Sequence, residues 1–424
     1  MQAPDVSATP DASHTKDGAR LASLDGLRGL AALSVFLFHG WLYTMPQPTA
    51  SNRSSPADYA AHELRLGLVA FFVLSGFLLS RPWFAAALDG RRPPGLLRYA
   101  RARVARIAPA YYAALLGSIV LLWGLSGSPG VRLPPAGELP LFFVFAQNFS
   151  PASVMKLNPP MWSLAVEVSF YVALPLVGWL ASRLPARRRA IALVPLALLA
   201  LGIAFNWAIA GRGLGMTFSK TLAAMLPYFA IGMLAALAAH GRQAGPGLRR
   251  ALLAGGLVLV VADATTKAFL DSGALDLGLY PLIFRDLLSS VGFALVIGAV
   301  AATPSSRILG GRALAALGAI SYGFYLWHVP VLLFMRGHGL LPLDPVLGTL
   351  AALGPVVAVS SLSWVALERP IIGWARERNA RSRVQRPARE PRHGDVPRRP
   401  AAPSGGGGGV DRRAGGREVS TVRT

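Results

Sequence analysis

The chain has 424 residues, of which 53% are apolar and 15% charged, with a mean hydropathy of +0.46 and a formal net charge of +22. A soluble protein carries about 25% charged residues, and apolar runs of about 18 residues or more recur here, so a soluble fold is excluded. The sequence has no cysteine, which excludes disulfides, thiolate metal sites and cysteine nucleophiles.

The hydropathy pattern predicts an all-α protein, a polytopic membrane bundle of about ten transmembrane helices. Residues 1–20 are predicted to form a polar N-terminal tail, because the apolar run that follows is too long for a signal peptide. The predicted spans are about 24–45, 64–81, 104–125, 161–182, 190–210, 217–239, 249–269, 278–302, 313–335 and 345–367.

Positively charged residues are distributed unequally between the loops that these spans define. Fifteen Lys and Arg residues fall in the loops on one side of the membrane, and seven fall on the other. Because cytoplasmic loops carry the excess of positive charge, we expect the N- and C-termini to be cytoplasmic. The same distribution accounts for the net charge without a nucleic-acid partner.

Two segments outside the spans differ in composition from the rest of the chain. Residues 126–160 form the longest outer connection, and their prolines and phenylalanines predict an irregular, apolar segment that lies at the membrane surface and caps an outer cavity. Residues 373–424 are rich in Arg, Pro and Gly and are predicted to be a disordered, basic cytoplasmic tail. Residues 21–372 are left as one membrane domain.

The first predicted span carries an arginine and a histidine within an apolar run. An arginine in hydrocarbon costs about 2.5–3.5 kcal/mol on insertion scales, so such residues mark functional positions. The eleven steps from Arg28 to His39 turn a helix by about 1100°, which brings both side chains to one face about 16 Å apart along the axis. In the predicted orientation Arg28 lies near the cytoplasmic end and His39 in the outer half.

Two further ionisable residues are predicted at a depth similar to that of His39. Counted from the span ends, Glu167 lies about 9 Å below the outer surface, and His328 lies about 22 Å along the ninth span. Histidine titrates near neutrality and suits a general base, and we expect Glu167 to orient His39 or to share its proton transfer. The alternative is a polar pair of Glu167 and His328 that locks helices together.

An arginine cluster precedes and enters the third span. Arg103 and Arg106 are three residues apart and therefore share a helix face. Guanidinium groups bind phosphate oxygens in pairs, so the cluster predicts a site for a phosphorylated donor that arrives from the cytosol. The alternative is ordinary positive charge of a cytoplasmic loop, which fits Arg106 less well because it already lies in the apolar run.

At these positions the chain resembles the acyltransferase 3 family of integral membrane O-acyltransferases. The arginine and histidine of the first span are the first match, and further motifs follow in order over residues 20–372. They are Phe71-Phe72-Val73-Leu74-Ser75-Gly76-Phe77-Leu78; Arg103-x-x-Arg106-Ile107 with Pro109; Trp162-Ser163-Leu164 with Glu167, Phe170, Tyr171 and Pro175; Ser321-Tyr322 with Tyr325-Leu326-Trp327-His328; and Glu368-Arg369-Pro370.

The resemblance implies acyl transfer from cytosolic acyl-CoA, with acetyl-CoA expected, to hydroxyls of saccharides, cell-surface polymers or glycosylated macrolides at the plasma membrane. His39 is expected to act as general base or, alternatively, as a transient acyl carrier. No bound cofactor and no metal are expected. The expected catalytic residues are His39, Arg28 and Glu167, the acyl-CoA-binding residues are Arg103 and Arg106, and the substrate-binding residues are Trp162, Tyr325 and His328.

One position departs from the family pattern, and one alternative function remains open. Many members have an aspartate just before the phenylalanine pair of the second span, where this chain has Val69. Buried polar residues also suit a transporter or flippase of a sugar or lipid-linked substrate, although the sequence shows neither the inverted repeats nor the interrupted helices typical of one. A third alternative, a non-catalytic membrane scaffold, does not explain why Arg28 and His39 lie in an apolar span.

Overall fold

The computed structural model describes residues 12–48, 53–303 and 309–384, and every regular element within these ranges is a helix. This confirms the predicted all-α class. The α-helices are α1 Ala12–Thr44, α2 Pro56–Glu63, α3 Gly67–Leu88, α4 Leu96–Leu122, α5 Leu139–Phe143, α6 Met161–Ser182, α7 Arg188–Arg212, α8 Met216–Ser219, α9 Leu222–Ala239, α10 Pro246–Asp271, α11 Tyr280–Phe284, α12 Leu287–Ala301, α13 Arg312–Gly337, α14 Pro345–Ser363 and α15 Arg369–Val384.

Eight helical segments among the described residues are long and apolar enough to cross a membrane. The apolar helix α12 is shorter, because the predicted span 278–302 is divided at Arg285 and Asp286 into α11 and α12. Arg285 ends α11 with a φ of 44°, a left-handed backbone that a continuous α-helix does not allow. The chain is thus a multi-pass helical protein, while the count of ten spans and the orientation of the termini stay predictions.

Glycines allow the closest contacts between helices, in the pairs α1–α13 and α3–α9. Helix α1 packs mainly against α13, and α3 packs mainly against α9. A Cβ on Gly318 would overlap the Asp25 carbonyl oxygen of α1, and a Cβ on Gly76 would overlap the Phe229 carbonyl oxygen of α9. Membrane helices associate through such small residues because lipid provides no hydrophobic drive between them. In each of these two helix pairs, the backbones are therefore in direct contact.

The short helix α2 is fixed on α1 by hydrogen bonds at its first turn. The Ser55 side chain accepts from the backbone N–H of Asp58, and the Asp58 carboxylate accepts in return from the backbone N–H of Ser55. This capping box satisfies donors that a helix start otherwise leaves free. Asp58 also accepts a 2.9 Å hydrogen bond from Trp41 Nε1 of α1. The cap thereby positions α2 and the residues that follow it.

The long connection 126–160 contains 3₁₀ turns and the short helix α5. Its amides are buried and bond to the backbone of neighbouring helices, with Gln147 donating to the Met161 oxygen at 2.9 Å and Asn158 donating to the Leu326 oxygen at 3.0 Å. Buried amides that are paired in this way fix a segment of irregular structure. The connection is therefore held onto the bundle, as expected for a segment that caps a cavity.

The ends of the chain are described in part. Helix α1 begins at Ala12, within the predicted polar tail 1–20. Helix α14 continues through a π-helical turn, Trp364–Glu368, into α15, which ends at Val384 within the predicted tail 373–424. By its internal contacts the chain divides into two units, Met1–Arg378 and Asn379–Thr424. Residues 385–424 lie outside the described residues, so the predicted disorder of the tail stays a prediction.

Candidate active site

Three arginines from two helices line one cavity, which we call the arginine cavity. Arg28 comes from α1, and Arg103 and Arg106 come from consecutive turns of α4. The sequence predicted this cluster, and the structure brings its three members together. Glu167 is the carboxylate among the described lining residues, and the remaining ones are Leu68, Phe71, Phe72, Leu74, Ser75, Leu78, Leu79, Ile107, Ser163, Leu164, Tyr171, Ser321, Tyr322 and Tyr325.

Arg106 is held by a carboxylate and two aromatic rings. Its Nη1 lies 4.0 Å from Oε2 of Glu368, a fully buried residue of the π-helical turn. Its Cζ lies 5.7 Å from the ring centroid of Tyr322 and 5.8 Å from that of Trp364. A guanidinium stacked on rings and paired with a carboxylate loses little freedom when it binds a ligand. Arg106 is thus preorganised at the cavity.

The other two arginines keep donors available to a ligand. Arg28 Nη1 donates to Asp25 Oδ1 at 2.9 Å. Arg103 lies with its Cζ 5.9 Å from the Tyr171 ring centroid, and its buried Nε has no hydrogen-bond partner among the described residues. An unpartnered buried donor is costly, and a phosphate oxygen would satisfy it through a charge-assisted hydrogen bond. The arginine cavity therefore has the donors that an anionic ligand needs.

A second cavity contains His39, and we call it the histidine cavity. Met155, Pro159 and Pro160 of the connection 126–160 form part of its wall, and the capping of an outer cavity by this segment stays a prediction. Val69, which stands in place of the family's aspartate, contributes an apolar side chain to the same wall. The lining residues are Val35, Phe38, His39, His62, Arg65, Leu68, Val69, Phe72, Met155, Pro159, Pro160, Trp162, Lys220, Met225, Tyr228, Arg285, Asp286 and Tyr325.

The hydrogen bonds of His39 determine which of its nitrogens can act as a base. Nδ1 lies 2.9 Å from the carbonyl oxygen of Val35 and 3.1 Å from Nε2 of His328. A carbonyl oxygen only accepts, so we assign the proton of neutral His39 to Nδ1, which donates to Val35. Nε2 then carries the free lone pair. The ring of His39 is therefore held by α1 itself and by His328 of α13, with Nε2 free to accept a proton.

The two cavities share one part of their walls. Leu68, Phe72 and Tyr325 line both of them. The Tyr325 hydroxyl is fixed by a 2.7 Å hydrogen bond with Ser163 Oγ and a 3.2 Å bond to the Pro160 oxygen. The arginine cavity and the histidine cavity thus meet at this layer of side chains, as expected if a group bound by the arginines reaches towards His39.

The structure corrects the expected role of Glu167. Its Oε1 accepts hydrogen bonds from Ser75 Oγ at 2.9 Å and from the Tyr171 hydroxyl at 2.5 Å, both at the arginine cavity. The contact with His39 that we expected of Glu167 is made by His328 instead. A similar depth in the membrane did not place Glu167 on the face that points to His39. The alternative, a Glu167–His328 pair, is likewise replaced by the His39–His328 pair.

The three expected substrate-binding residues divide into two groups. Trp162 and Tyr325 line the histidine cavity, and each residue has a relative solvent exposure of 7%. His328 is fully buried behind His39 and lines neither cavity. Direct substrate contact by His328 is therefore corrected to contact with His39. Trp162 and Tyr325 lie at the wall of the histidine cavity, and their contact with substrate stays a prediction.

Sequence reasoning missed the charged residues of the histidine cavity. Arg65, Lys220, Arg285 and Asp286 all line it. Lys220 was one of the seven Lys and Arg residues counted on the outer side, and Arg285 and Asp286 lay inside the predicted span 278–302. A charged pair within an apolar run was the available signal, because such residues are costly in a membrane without a function.

A neighbouring cluster of acidic and histidine side chains is already occupied by an arginine. Ligand atoms of His62, Glu63 and Asp271 lie within 4.8 Å of one another. Arg53 Nη1 lies 2.9 Å from His62 Nδ1 and 2.5 Å from Asp271 Oδ2. The guanidinium therefore serves as the cation of this cluster.

Comparison with known proteins shows what the chain is similar to. A family model described as an acyltransferase domain matches residues 21–365. Acyltransferase MdmB of Streptomyces mycarofaciens is 29% identical over 341 residues, which are 76% of this chain and 81% of MdmB. O-acetyltransferase OatA of Staphylococcus aureus is 24% identical over 377 residues, which are 83% of this chain but 57% of OatA. No solved structure matches the chain.

Proposed function

The chain belongs to the acyltransferase 3 family and is a membrane O-acyltransferase, and from this premise we propose its donor, its acceptor and the roles of its residues. The donor is cytosolic acyl-CoA, with acetyl-CoA preferred. The acceptor is a hydroxyl of a saccharide, a cell-envelope glycan or a glycosylated metabolite at the plasma membrane. The observation that carries this proposal is the meeting of the arginine and histidine cavities at Leu68, Phe72 and Tyr325. Family membership replaces the transporter interpretation.

The arginine cavity supports the choice of a phosphorylated donor. Coenzyme A carries several phosphate groups, and guanidinium forks bind phosphate oxygens better than ammonium groups do. Arg103 offers an unpartnered Nε, and Arg106 is held in place by Glu368 and two rings. In this proposal the two residues bind the phosphates, and Arg28 positions the chain that leads to the thioester. The acyl end then lies at the layer shared with the histidine cavity.

The proposed reaction is direct acyl transfer with His39 as general base. His39 Nε2 takes the proton of the acceptor hydroxyl while the hydroxyl oxygen attacks the thioester carbonyl carbon. The carbonyl–sulfur bond breaks, the coenzyme A thiolate leaves, and the imidazolium returns its proton to the sulfur. The products are an ester and free coenzyme A. The bond from His39 Nδ1 to the Val35 oxygen supports this assignment, because it leaves Nε2 unprotonated.

The proposal is tested by the transfer of labelled acetyl from acetyl-CoA. The purified full-length protein is incubated with radiolabelled acetyl-CoA and with glycan and metabolite fractions, and label in esters is counted. We expect His39→Ala to lower turnover by a factor of about 100 or more, the usual contribution of a general base. The matched control is His338→Ala, which removes an exposed histidine at the end of α13. Wild-type turnover in His39→Ala would refute the assignment.

A further inference from the structure

We propose that the acceptor carries an anionic group, a carboxylate or a phosphate, which binds to Lys220 and Arg285 while the acceptor hydroxyl reaches His39. The proposal rests on the proposed function, because it takes the histidine cavity as the acceptor site. Its basis is the charge of that cavity. Besides His39 and His62, the described lining residues include three basic side chains, Arg65, Lys220 and Arg285, and one carboxylate, that of Asp286.

Lys220 faces the histidine cavity without an acidic partner. Its Nζ lies 4.0 Å from the ring centroid of Trp162, which lines the same cavity. None of the described carboxylates forms an ion pair with it, and the charges that act on it, those of Arg285 and Arg65, are both positive. The ring faces one side of the ammonium group. The remaining donors of Lys220 are therefore available to a ligand.

Arg285 lies next to Lys220 and also lacks an acidic partner among the described residues. Its Nη1 donates to the backbone oxygen of Ser219, the residue before Lys220, at 3.3 Å. A guanidinium has five N–H donors, and this bond uses one of them. The contact brings the guanidinium to the segment that carries the ammonium group. Two cations thus stand side by side at one part of the wall.

Asp286, the acidic side chain among the described residues of the histidine cavity, is paired with cations other than Lys220 and Arg285. Asp286 Oδ1 pairs with Arg65 Nη1 at 3.0 Å and also with Lys267 Nζ. Its Oδ2 accepts a 3.3 Å hydrogen bond from the Tyr228 hydroxyl. Both carboxylate oxygens are therefore engaged. Glu63 also pairs with Arg65 at 3.0 Å, and Asp263 lies 3.8 Å from Lys267, so three carboxylates compensate these two cations. Among the described residues none of the three forms an ion pair with Lys220 or Arg285.

Uncompensated charge in a cavity selects the charge of its ligand. Two unpaired cations in a region of low dielectric attract an anionic group strongly and repel a cationic one. A neutral hydroxyl compound would leave both charges unpaired, which costs binding free energy. A carboxylate or a phosphate on the acceptor satisfies both groups at once. The same contact would hold the acceptor in a fixed orientation relative to His39.

The test measures binding in the absence of acyl-CoA. Purified full-length protein is titrated, at constant ionic strength, with methyl glucuronide, glucose 1-phosphate and the neutral match methyl glucoside, and the shift in melting temperature gives an apparent Kd. We expect at least one anionic probe to bind about tenfold or more tightly than methyl glucoside, since it forms charge-assisted hydrogen bonds that the neutral probe lacks. The glucuronide and the phosphate distinguish the two anionic groups.

Variants assign the binding to this wall. Lys220→Gln and Arg285→Gln, tested separately so that one misfolded variant does not decide the result, should each weaken the anionic probe about tenfold and leave methyl glucoside unchanged. Arg212→Gln changes an exposed arginine at the end of α7 that lines neither cavity and is the control, with no expected effect. Equal binding of all three probes, or an anionic preference that survives both substitutions, would overturn the proposal. Label transfer is measured separately, so a failure of the proposed function does not affect this result.

Discussion

Nε2 of His328 lies 3.1 Å from Nδ1 of His39, on the side of the ring that faces away from its free nitrogen. His328 is fully buried and lines neither cavity itself. The two imidazoles come from α1 and α13, which pack closely because Gly318 lets α13 approach the α1 backbone. His328 thus acts through His39, as a positioning residue.

Replacement of His328 should lower turnover without a loss of substrate affinity. We expect His328→Ala to reduce kcat about tenfold with little change in KM, because the ring of His39 loses the partner that orients it. His328→Gln keeps a polar group near Nδ1 and should recover part of kcat. A role in folding alone would instead lower the melting temperature in both variants equally and leave kcat of the folded fraction unchanged.

Arg103 should determine the affinity for acyl-CoA. Arg103→Gln removes the charge and the unpartnered Nε, so KM for acetyl-CoA should rise about tenfold to a hundredfold, as expected for the loss of one charge-assisted hydrogen bond. Arg212→Gln changes an exposed arginine at the end of α7 and serves as control. An unchanged KM with a lower kcat would contradict the assignment of Arg103 to the phosphates.

Glu368 should act only through Arg106. The carboxylate lies 4.0 Å from the guanidinium, and Glu368→Gln removes its charge while it keeps its size. We expect KM for acetyl-CoA to rise severalfold in Glu368→Gln, and the double variant with Arg106→Gln to be no worse than Arg106→Gln alone. A double-mutant cycle gives this coupling directly. Additive effects of the two substitutions would show that Glu368 has a separate role.

Glu167 should affect the donor side and leave the basicity of His39 unchanged. Its carboxylate accepts from Ser75 and Tyr171 in the arginine cavity. Glu167→Gln is therefore expected to change KM for acetyl-CoA and to leave the pH dependence of kcat as in the wild type. The measurement is a pH–rate profile of both proteins at saturating acetyl-CoA. A shift of that profile would restore the proton-transfer role that the sequence first predicted.

Gly76 should be essential for the packing of α3 on α9. A Cβ there would overlap the Phe229 carbonyl oxygen, and backbone cannot move aside as a flexible side chain does. We expect Gly76→Val to destabilise the protein by about 1–3 kcal/mol or more, seen as a lower melting temperature in detergent. Gly354→Val in α14 meets no atom within 4 Å and should melt close to the wild type.

The sequence was sufficient for the part of the site that depends on local helix geometry. Arg103 and Arg106 share a face because they are three residues apart, and the expected meeting with Arg28 is seen in the arginine cavity. Arg28 and His39 reach different cavities because the helix rise separates them by about 16 Å. The predicted topology added a direction to this arrangement, with the donor expected at Arg28 and the acceptor expected at His39.

The sequence was not sufficient for contacts that depend on how helices are rotated against one another. Residue counting placed Glu167 and His328 at similar depth, but depth does not fix which side chain faces His39. The wall that carries Lys220 and Arg285 depends on the break between α11 and α12 and on the capping connection 126–160, both tertiary features. From the sequence, Lys220 served only as an indicator of topology, and Arg285 lay inside a predicted span.

The shared layer of Leu68, Phe72 and Tyr325 separates two sets of residues that can diverge independently. Of the two cavities, Lys220, Arg285 and the connection 126–160 line only the histidine cavity, and Arg28, Arg103 and Arg106 line only the arginine cavity. Under the proposed function, substitutions in the capping connection and around α11 would change which hydroxyl compound is modified without altering donor binding. Under the proposed function, one donor site is therefore compatible with several acceptors. A new acceptor specificity requires substitutions only in the wall of the histidine cavity.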